Sequence, residues 1–339
     1  MKILESLNNI GEFGLIRRID DLLKREGVQA PGVTLGIGDD TASFKARSGY
    51  EVLVTCDCVV EGRHFLSRHI SPLDLGRRSM MLNISDIGAM GGYPLYALVS
   101  LGLKNDTLVE DIEELYRGFL SELNPLSASI IGGNLTRSGN GIFIDITLIG
   151  EVEEGRAVRR SGAKPGDVIL VTGYPGHSAA GLQLLLQSLA PEDHPLVRAY
   201  TTPSHRAREG RAVALTGWAT AMIDTSDGFL GDLGHICEES RVGALLVHEK
   251  FPLSNELREA AKILNKEPGE FFLGDSDDYQ LIITCDPKGV DRICAAIARF
   301  YDGPVTEVGK VTAPERGIRL FFADGSEQRL SAKGWDHFR

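Results

Sequence analysis

Hydrophobic and polar positions along the first half of the chain switch between strand-like and helix-like spacing, and that switching predicts its elements. Residues 42–46 and 51–56 read as paired strands around the polar turn Arg47-Ser48-Gly49. A helix follows with clear start signals: Ser71 can cap it, Pro72 fits its first turn, and Asp74 sits where an acid meets exposed N–H groups. It runs to about Met90 and stops at Gly91-Gly92. Residues 96–103 are strand-like, and 108–123 form an amphipathic helix with Ile112, Leu115, Phe119 and Leu123 near helical spacing. Residues 129–131 and 142–149 supply two more strands. The order ββαβαβ predicts an α+β layer, one sheet with helices on one face.

After Glu151 the polar string EVEEGRAVRRSGAKPGD reads as a connector. Beyond it, residues 167–172 form a buried strand entering a Gly-rich turn, and 178–189 a helix. Residues 222–224 end in a polar turn before a helix from about Phe229 to Ser240. Residues 279–285 read as a strand, 290–300 as a helix, and 318–330 as a hairpin around Asp324-Gly325. The second half is therefore also mixed α/β.

A chain of 339 residues is long for one core. We place domains at 1–151 and 152–339. Hydrophobic residues at 42% and charged residues at 24% are ordinary for a globular protein. The net charge of -11 argues against a nucleic-acid partner, because phosphate backbones reward surplus Lys and Arg. The sequence shows no signal peptide and no apolar run of about 18 residues, so no membrane role is expected. Cys56, Cys58, Cys237, Cys285 and Cys294 are odd in number and scattered, which suits reduced thiols in the cytoplasm.

Aspartates fall in a pattern. They gather with glycine or polar residues at the ends of apolar segments: Gly-Ile-Gly-Asp39-Asp40, Thr55-Cys56-Asp57, Asn83-Ile84-Ser85-Asp86, Asp224-Thr225-Ser226-Asp227-Gly228 and Gly274-Asp275-Ser276-Asp277-Asp278. Asp is common at caps and turns, so one such cluster says little. Five together suggest an oxygen-rich surface for a hard divalent cation such as magnesium. Asp86 follows Asn83 by three residues on the expected helix, so both polar groups share a face. Amid Met81, Leu82, Ile84 and Ile87 a charge is costly to bury unless it is paired or bound to metal.

Two glycine-rich segments could approach phosphates: Ile131-Gly132-Gly133-Asn134, and Thr172-Gly173-Tyr174-Pro175-Gly176-His177-Ser178 leading into a helix start. No G-x-x-x-x-G-K-[ST] string occurs, and H-R-D and D-F-G signatures are absent. Candidate cations for a phosphate are Arg137, Arg159 and Arg160, with His64 shortly after Asp57.

Taken together, GEFGLI, GIGDD, TCDCVVEGRHF, NISDIGAMGG, IGGN, RSGAKPGD, VTGYPGHSAAGL, IDTSDGFLGDLGHI, GDSDDYQL and GWDHF run nearly end to end. In these segments the chain resembles the thiamine-monophosphate kinase family, within the superfamily that includes aminoimidazole ribonucleotide synthetase and selenophosphate synthetase. The resemblance implies an N-terminal domain that binds ATP and metal and whose sheet joins a partner's in a homodimer. It also implies a C-terminal α/β domain, with ATP and several Mg2+ ions held between the two. By matching position it implies Asp40, Thr55, Cys56 (through its main chain), Asp57, Asp86, Asn134, Asp224 and Asp227 as metal ligands. Gly133, Asn134, Arg160 and Ser226 would contact ATP, and His64, Asp277 and Trp335 would contact thiamine monophosphate. Asn134, Cys56, Asp277 and Gln280 depart from the family's usual Asp, Thr, Glu and Glu. Asp277 is one methylene shorter than that Glu.

The chemistry expected is direct in-line transfer of the γ-phosphoryl group, with Asp57, Asp86 and Arg160 as its central residues. Two rivals stand beside it: an ATP-dependent enzyme of the same superfamily with another acceptor, and a non-catalytic nucleotide- or metabolite-binding protein.

Overall fold

The computed structural model describes residues 7–38 and 41–332. The chain divides into two compact units, one of Met1–Ile87 with Tyr93–Glu154, the other of Gly88–Gly92 with Gly155–Arg339.

The first unit follows the order α1 (Leu7–Glu26), β1 (Val33–Leu35), β2 (Ser43–Phe44), β3 (Tyr50–Val60), α2 (Pro72–Ala89), β4 (Tyr93–Leu103), α3 (Val109–Leu123), β5 (Ser129–Arg137) and β6 (Phe143–Glu153). Four of these strands make one sheet in the order β3-β6-β4-β5. β6 pairs antiparallel with both β3 and β4, and β4 pairs parallel with β5. β1 and β2 form a separate two-stranded sheet. The expected hairpin between residues 42–46 and 51–56 is therefore not formed: Phe44 pairs with Val33 and Ser43 with Leu35, and β3 takes β6 as its neighbour along its whole length.

Local chemistry explains α2 and α3. The Asp74 N–H donates to Ser71 Oγ at 3.1 Å, so the cap that the sequence offers is used. In α3 the stripe Ile112, Leu115, Tyr116, Phe119 and Leu123 is buried. The sheet has two unlike faces. On one, Ile144, Ile146, Leu148 and Val152 of β6 are covered; on the other, Val52 and Val54 of β3 remain 50% and 63% exposed.

The second unit runs β7 (Val168–Thr172), α4 (His177–Leu186), α5 (Pro195–Thr201), α6 (Ala207–Thr216), β8 (Ala219–Asp224), α7 (Phe229–Ser240), β9 (Gly243–Val247), α8 (Asn255–Ile263), α9 (Pro268–Phe272), β10 (Leu281–Cys285), α10 (Val290–Ile297), β11 (Val305–Thr312), β12 (Ile318–Phe321) and β13 (Glu327–Leu330). Its seven-stranded sheet has the order β13-β12-β9-β11-β7-β10-β8. Successive residues of its central strands point to opposite faces. Ile169, Val171 and Ile282 meet α7 through Phe229, Leu233 and Ile236. Val168, Leu170, Leu281 and Ile283 meet α6 and α10 through Val213, Ile293 and Ile297. Burial on both faces is why these strands read as unbroken apolar runs.

Candidate active site

In the first unit the acids stand on the helix-covered face of the sheet. β3 alternates, so Thr55 and Asp57 point one way while Cys56 and Cys58 point the other. Thr55 Oγ1 donates to Asp86 Oδ2, which ties β3 to α2. One turn earlier on α2, Asn83 is fully buried; its Nδ2 reaches Ser79 O at 3.4 Å, and its Oδ1 has no hydrogen-bond partner. An unpaired buried carbonyl costs roughly 1–3 kcal/mol, so this position is energetically open to a further donor or a cation. The Cys56 thiol lies apart from this group, donating to Asp145 Oδ1 at 3.2 Å on the open face. Any part Cys56 takes beside Thr55 and Asp57 falls to its main chain.

Asn134 stands elsewhere. It registers with Ser100, then Asp145 and Cys58, in a row across the uncovered face. Its strand β5 and Asp57's strand β3 are the two edges of the sheet. Three interstrand spacings separate them, roughly 14 Å at about 4.8 Å each. Metal–oxygen bonds for magnesium are only about 2.1 Å, so one ion cannot take both residues from one chain. Gly133 has a packing reason for being glycine: a Cβ there would sit 1.9 Å from the Val99 carbonyl oxygen of β4.

The second unit gathers its acids at the end of β8. Asp224 is 2% exposed, and the turn through Ser226 and Asp227 leads directly into α7. Two residues that the sequence reading passed over join them. Asp232, 1% exposed, accepts from the Asp227 N–H at 3.1 Å, and His235 brings a ring nitrogen within reach of both carboxylates. Burial raises the Asp232 carboxyl to about 8; the charges of Asp224 and Asp227 add to the rise, while the Asp227 N–H and Arg160 oppose it. Arg160 is thus close enough for its charge to be felt in this cluster. The available signal was spacing, since Asp232 and His235 are three apart on one helix and lie one face over from the Asp227 turn.

Neighbouring segments hold that turn. Thr225 N–H donates to Gln280 O at 2.8 Å, Gln280 N–H donates to Thr225 Oγ1 at 2.9 Å, and Tyr279 N–H donates to Thr225 O at 2.8 Å. Tyr279 adopts φ 52, a left-handed conformation costing roughly 1 kcal/mol or more for a residue with a side chain. Gly228 lies close to the 274–276 segment: at φ 109 its Cβ would be 2.4 Å from Gly274 O.

Asp277 and Asp278 cap α4. Asp278 accepts from Gly176 N at 2.6 Å and Ser178 N at 2.8 Å, Ser276 Oγ accepts from Ala179 N at 3.0 Å, and Asp277 Oδ1 accepts from Ser178 Oγ at 2.5 Å. Burial pushes the Asp278 carboxyl up to about 6 despite these donors. This corrects the expectation that the Gly173–Ser178 turn could cradle a phosphate: the Gly176, Ser178 and Ala179 N–H groups of that helix start are taken by the protein's own side chains. Gln280 is buried, with Oε1 accepting from Thr172 Oγ1 at 3.0 Å and Arg206 Nε at 2.9 Å, so it faces inward and not toward an acceptor. His64 Nδ1 accepts from the Val60 N–H at 3.0 Å and so closes its own turn. Asp40 and Trp335 lie outside the described residues.

Comparison with known proteins gives this arrangement a class. The family "AIR synthase related protein, N-terminal domain" matches residues 38–152, and "AIR synthase related protein, C-terminal domain" matches 164–320. A thiamine-monophosphate kinase of Aquifex aeolicus (strain VF5) is 36% identical over 98% of this chain and 99% of its own. Thiamine-monophosphate kinase from Stenotrophomonas maltophilia K279a superposes with a TM-score of 0.80 at 30% identity, covering 94% of this chain and 98% of that one. AaThiL complexed with AMPPCP and TMP gives 0.74 at 34% identity, covering 99% and 100%.

The class is a two-domain AIR synthase related protein, with oxygen donors in each unit. More narrowly, the chain belongs to the thiamine-monophosphate kinase family and is an enzyme of the phosphotransferase class. Among the described residues, no helix is long and apolar enough to cross a membrane.

Proposed function

We propose that the protein transfers the γ-phosphoryl group of ATP to thiamine monophosphate, giving thiamine diphosphate and ADP, with magnesium as cofactor. ATP as co-substrate is supported by a relative solved with AMPPCP, an ATP analogue, together with TMP. The observation that carries the reading is chemical. Each unit presents an oxygen-rich acid group at positions the family resemblance marks: Thr55, Asp57 and Asp86 in one, and Asp224 and Asp227, with Asp232 beside them, in the other.

Those donors fit a hard cation. They are carboxylates and a hydroxyl with no thiolate among them, and the orphaned Asn83 Oδ1 sits one helical turn from Asp86. Thr55, Asp57, Asp86, Asp224 and Asp227 would hold magnesium, joined by Asp40 and the Cys56 main chain. Bound there, magnesium neutralises phosphate charge that would otherwise oppose the approach of two polyanions, about 4 kcal/mol per unit pair at 4 Å and an effective dielectric near 20.

The chain's own side chains do the rest. Arg160 offsets remaining phosphate charge, and Ser226, Gly133 and Asn134 contact the nucleotide. His64, Asp277 and Trp335 contact the acceptor, with Trp335 offering a ring face to a cationic heterocycle. The acceptor is a phosphate monoester, ionised near neutral pH, so it attacks in line without a strong general base or a phosphoenzyme.

A homodimer accords with the sheet's geometry. Asn134 and Asp57 occupy opposite edges, and an exposed sheet face carrying Val52 and Val54 suits a second copy. We place the enzyme in the cytoplasm. The test is formation of thiamine diphosphate and ADP from a panel of phosphorylated acceptors with ATP and magnesium. Preference for thiamine monophosphate supports the reading; preference for another acceptor redirects it; binding heat without ADP release contradicts it.

A further inference from the structure

Gly173, offered by the sequence as a phosphate approach, makes room instead for a side chain. It takes φ 64, and a Cβ there would collide with Gln280 Oε1. Gln280 is 8% exposed, and distant segments converge on its amide. Its Oε1 accepts from Thr172 Oγ1 at the end of β7 and from Arg206 Nε just before α6, while its Nε2 donates to Asp278 O at 3.2 Å. Arg206 is held in turn, its guanidinium carbon 4.0 Å from the centre of the Tyr301 ring. The main chain of Gln280 exchanges hydrogen bonds with Thr225, so the residue is fixed from both its backbone and its side chain.

The bond from Nε2 is the one that reaches toward the site. It spans Tyr279, whose φ of 52 is a left-handed conformation that a residue with a side chain keeps when its surroundings impose it. Beyond Tyr279 the paired acids divide. Asp278 is buried as the cap of α4, whereas Asp277 is half-buried and is the acid assigned above to the acceptor. Releasing Asp278 O would let the 277–279 turn relax, and Asp277 would move with it. A carboxylate at 280 could not hold the turn in this way. Ionised, it accepts from Thr172 and Arg206 but sets a second oxygen against the Asp278 carbonyl, where the amide donates. An amide serves all three partners at once.

We propose that Gln280 is a positioning residue whose amide fixes the Tyr279 turn and, through it, the place of Asp277; the inference rests on the reading that Asp277 contacts thiamine monophosphate. The test is a double-mutant cycle of Gln280→Glu with Asp277→Ala, run in parallel with Arg206→Lys as a milder disturbance of the same amide. With ATP and magnesium saturating, KM for thiamine monophosphate and kcat are measured beside calorimetric binding of thiamine monophosphate and thermal melts. Gln280→Glu should raise KM about fivefold or more with kcat within about twofold, and Arg206→Lys should raise it about two- to threefold. In the Asp277→Ala background both increments should vanish, because the residue they act through is gone. Increments that persist undiminished there show Gln280 to be plain core support. A KM unchanged in both single variants, or a loss confined to kcat, shows that the amide sets nothing at the acceptor. Either result overturns the inference alone. Should Gln280→Glu fail to fold, the Arg206→Lys cycle decides by the same criteria. An Asp277→Ala variant that binds thiamine monophosphate like the wild type overturns the inference together with the acceptor role of Asp277. A wild type without turnover on thiamine monophosphate removes the function reading, and this inference with it, before any variant is made.

Discussion

The two acid groups of this molecule solve the same electrostatic problem differently. In the first unit Thr55, Asp57 and Asp86 are half-buried and come from a strand and a helix far apart in sequence, tied together by the hydrogen bond from Thr55 to Asp86. In the second unit Asp224, Asp227 and Asp232 come from one stretch of nine residues, and two of the three are essentially closed to water. The first arrangement tolerates its charges by exposure. The second does so by protonation, with Asp232 lifted to about 8 by burial and by its two neighbours. The lesson is that without a cation the second group is the strained one, and on the proposed reading the first is the one whose loss should remove function with little change in stability.

The largest effect should come from the first group. Asp57→Ala or Asp86→Ala should lower thiamine diphosphate formation a thousandfold or more, about 4 kcal/mol of transition-state stabilisation, with melting temperature little changed. A steady-state ADP-release assay beside thermal melts checks this. Turnover within tenfold of wild type would break the comparison.

Next, Asp232→Asn keeps an acceptor for the Asp227 N–H and removes a carboxyl whose ionisation burial opposes. Because the folded value is raised, its stabilising contribution is full below about pH 4 and is lost as pH climbs toward 8. In cation-free buffer near pH 7 the variant should therefore be the more stable, by up to about 4 kcal/mol. Added magnesium should shrink the gap. A variant that melts lower than wild type in the absence of cations would contradict the strain assigned to this group.

His177 offers a check away from the acids. It stacks on Tyr174 and meets Ser254 Oγ at 2.8 Å, and burial lowers it to about 4. A depressed histidine stays neutral when folded, so the unfolded chain binds the extra proton between pH 6.5 and 4 and stability falls as pH drops through that window. His177→Gln should remove up to about 3 kcal/mol of that slope. Denaturant melts at pH 7 and pH 4.5 measure it, and an unchanged slope would locate the acid sensitivity elsewhere.

The smallest effect concerns acceptor choice. Asp277→Glu restores the longer acid usual in the family but strains a 2.5 Å bond from Ser178 Oγ. KM for thiamine monophosphate should shift by about three- to tenfold with kcat nearly constant, roughly 1 kcal/mol of uniform binding. A change in kcat alone would mean that Asp277 serves the helix cap and not the acceptor.

Much of this was legible in residue order. The cap at Ser71, the apolar stripe of α3 and the unbroken strands of the second sheet follow directly from side-chain period and capping chemistry. α1 escaped notice because Gly11 and Gly14 disrupt its pattern and Gly11 breaks the helix itself. The 42–46 pairing failed because β1 and β2, three and two residues long, carry too little pattern to specify a partner, and β6 offered β3 an eleven-residue ladder. The Gly173–Ser178 turn looked like a phosphate cradle because sequence does not reveal that Asp278, a hundred residues away, already occupies its N–H groups. Asp232 was missed for a related reason: within a helix it resembles any first-turn acid until burial and its neighbours' charge become visible.

The most direct measurement is thiamine diphosphate formation from ATP and thiamine monophosphate across a magnesium titration, in the wild type and in Asp57→Asn. The account predicts no product with divalent cations chelated, saturable turnover as magnesium is restored, and a midpoint at least tenfold higher, or no turnover, in the variant. Product formed at an undiminished rate in the chelated wild type would contradict it.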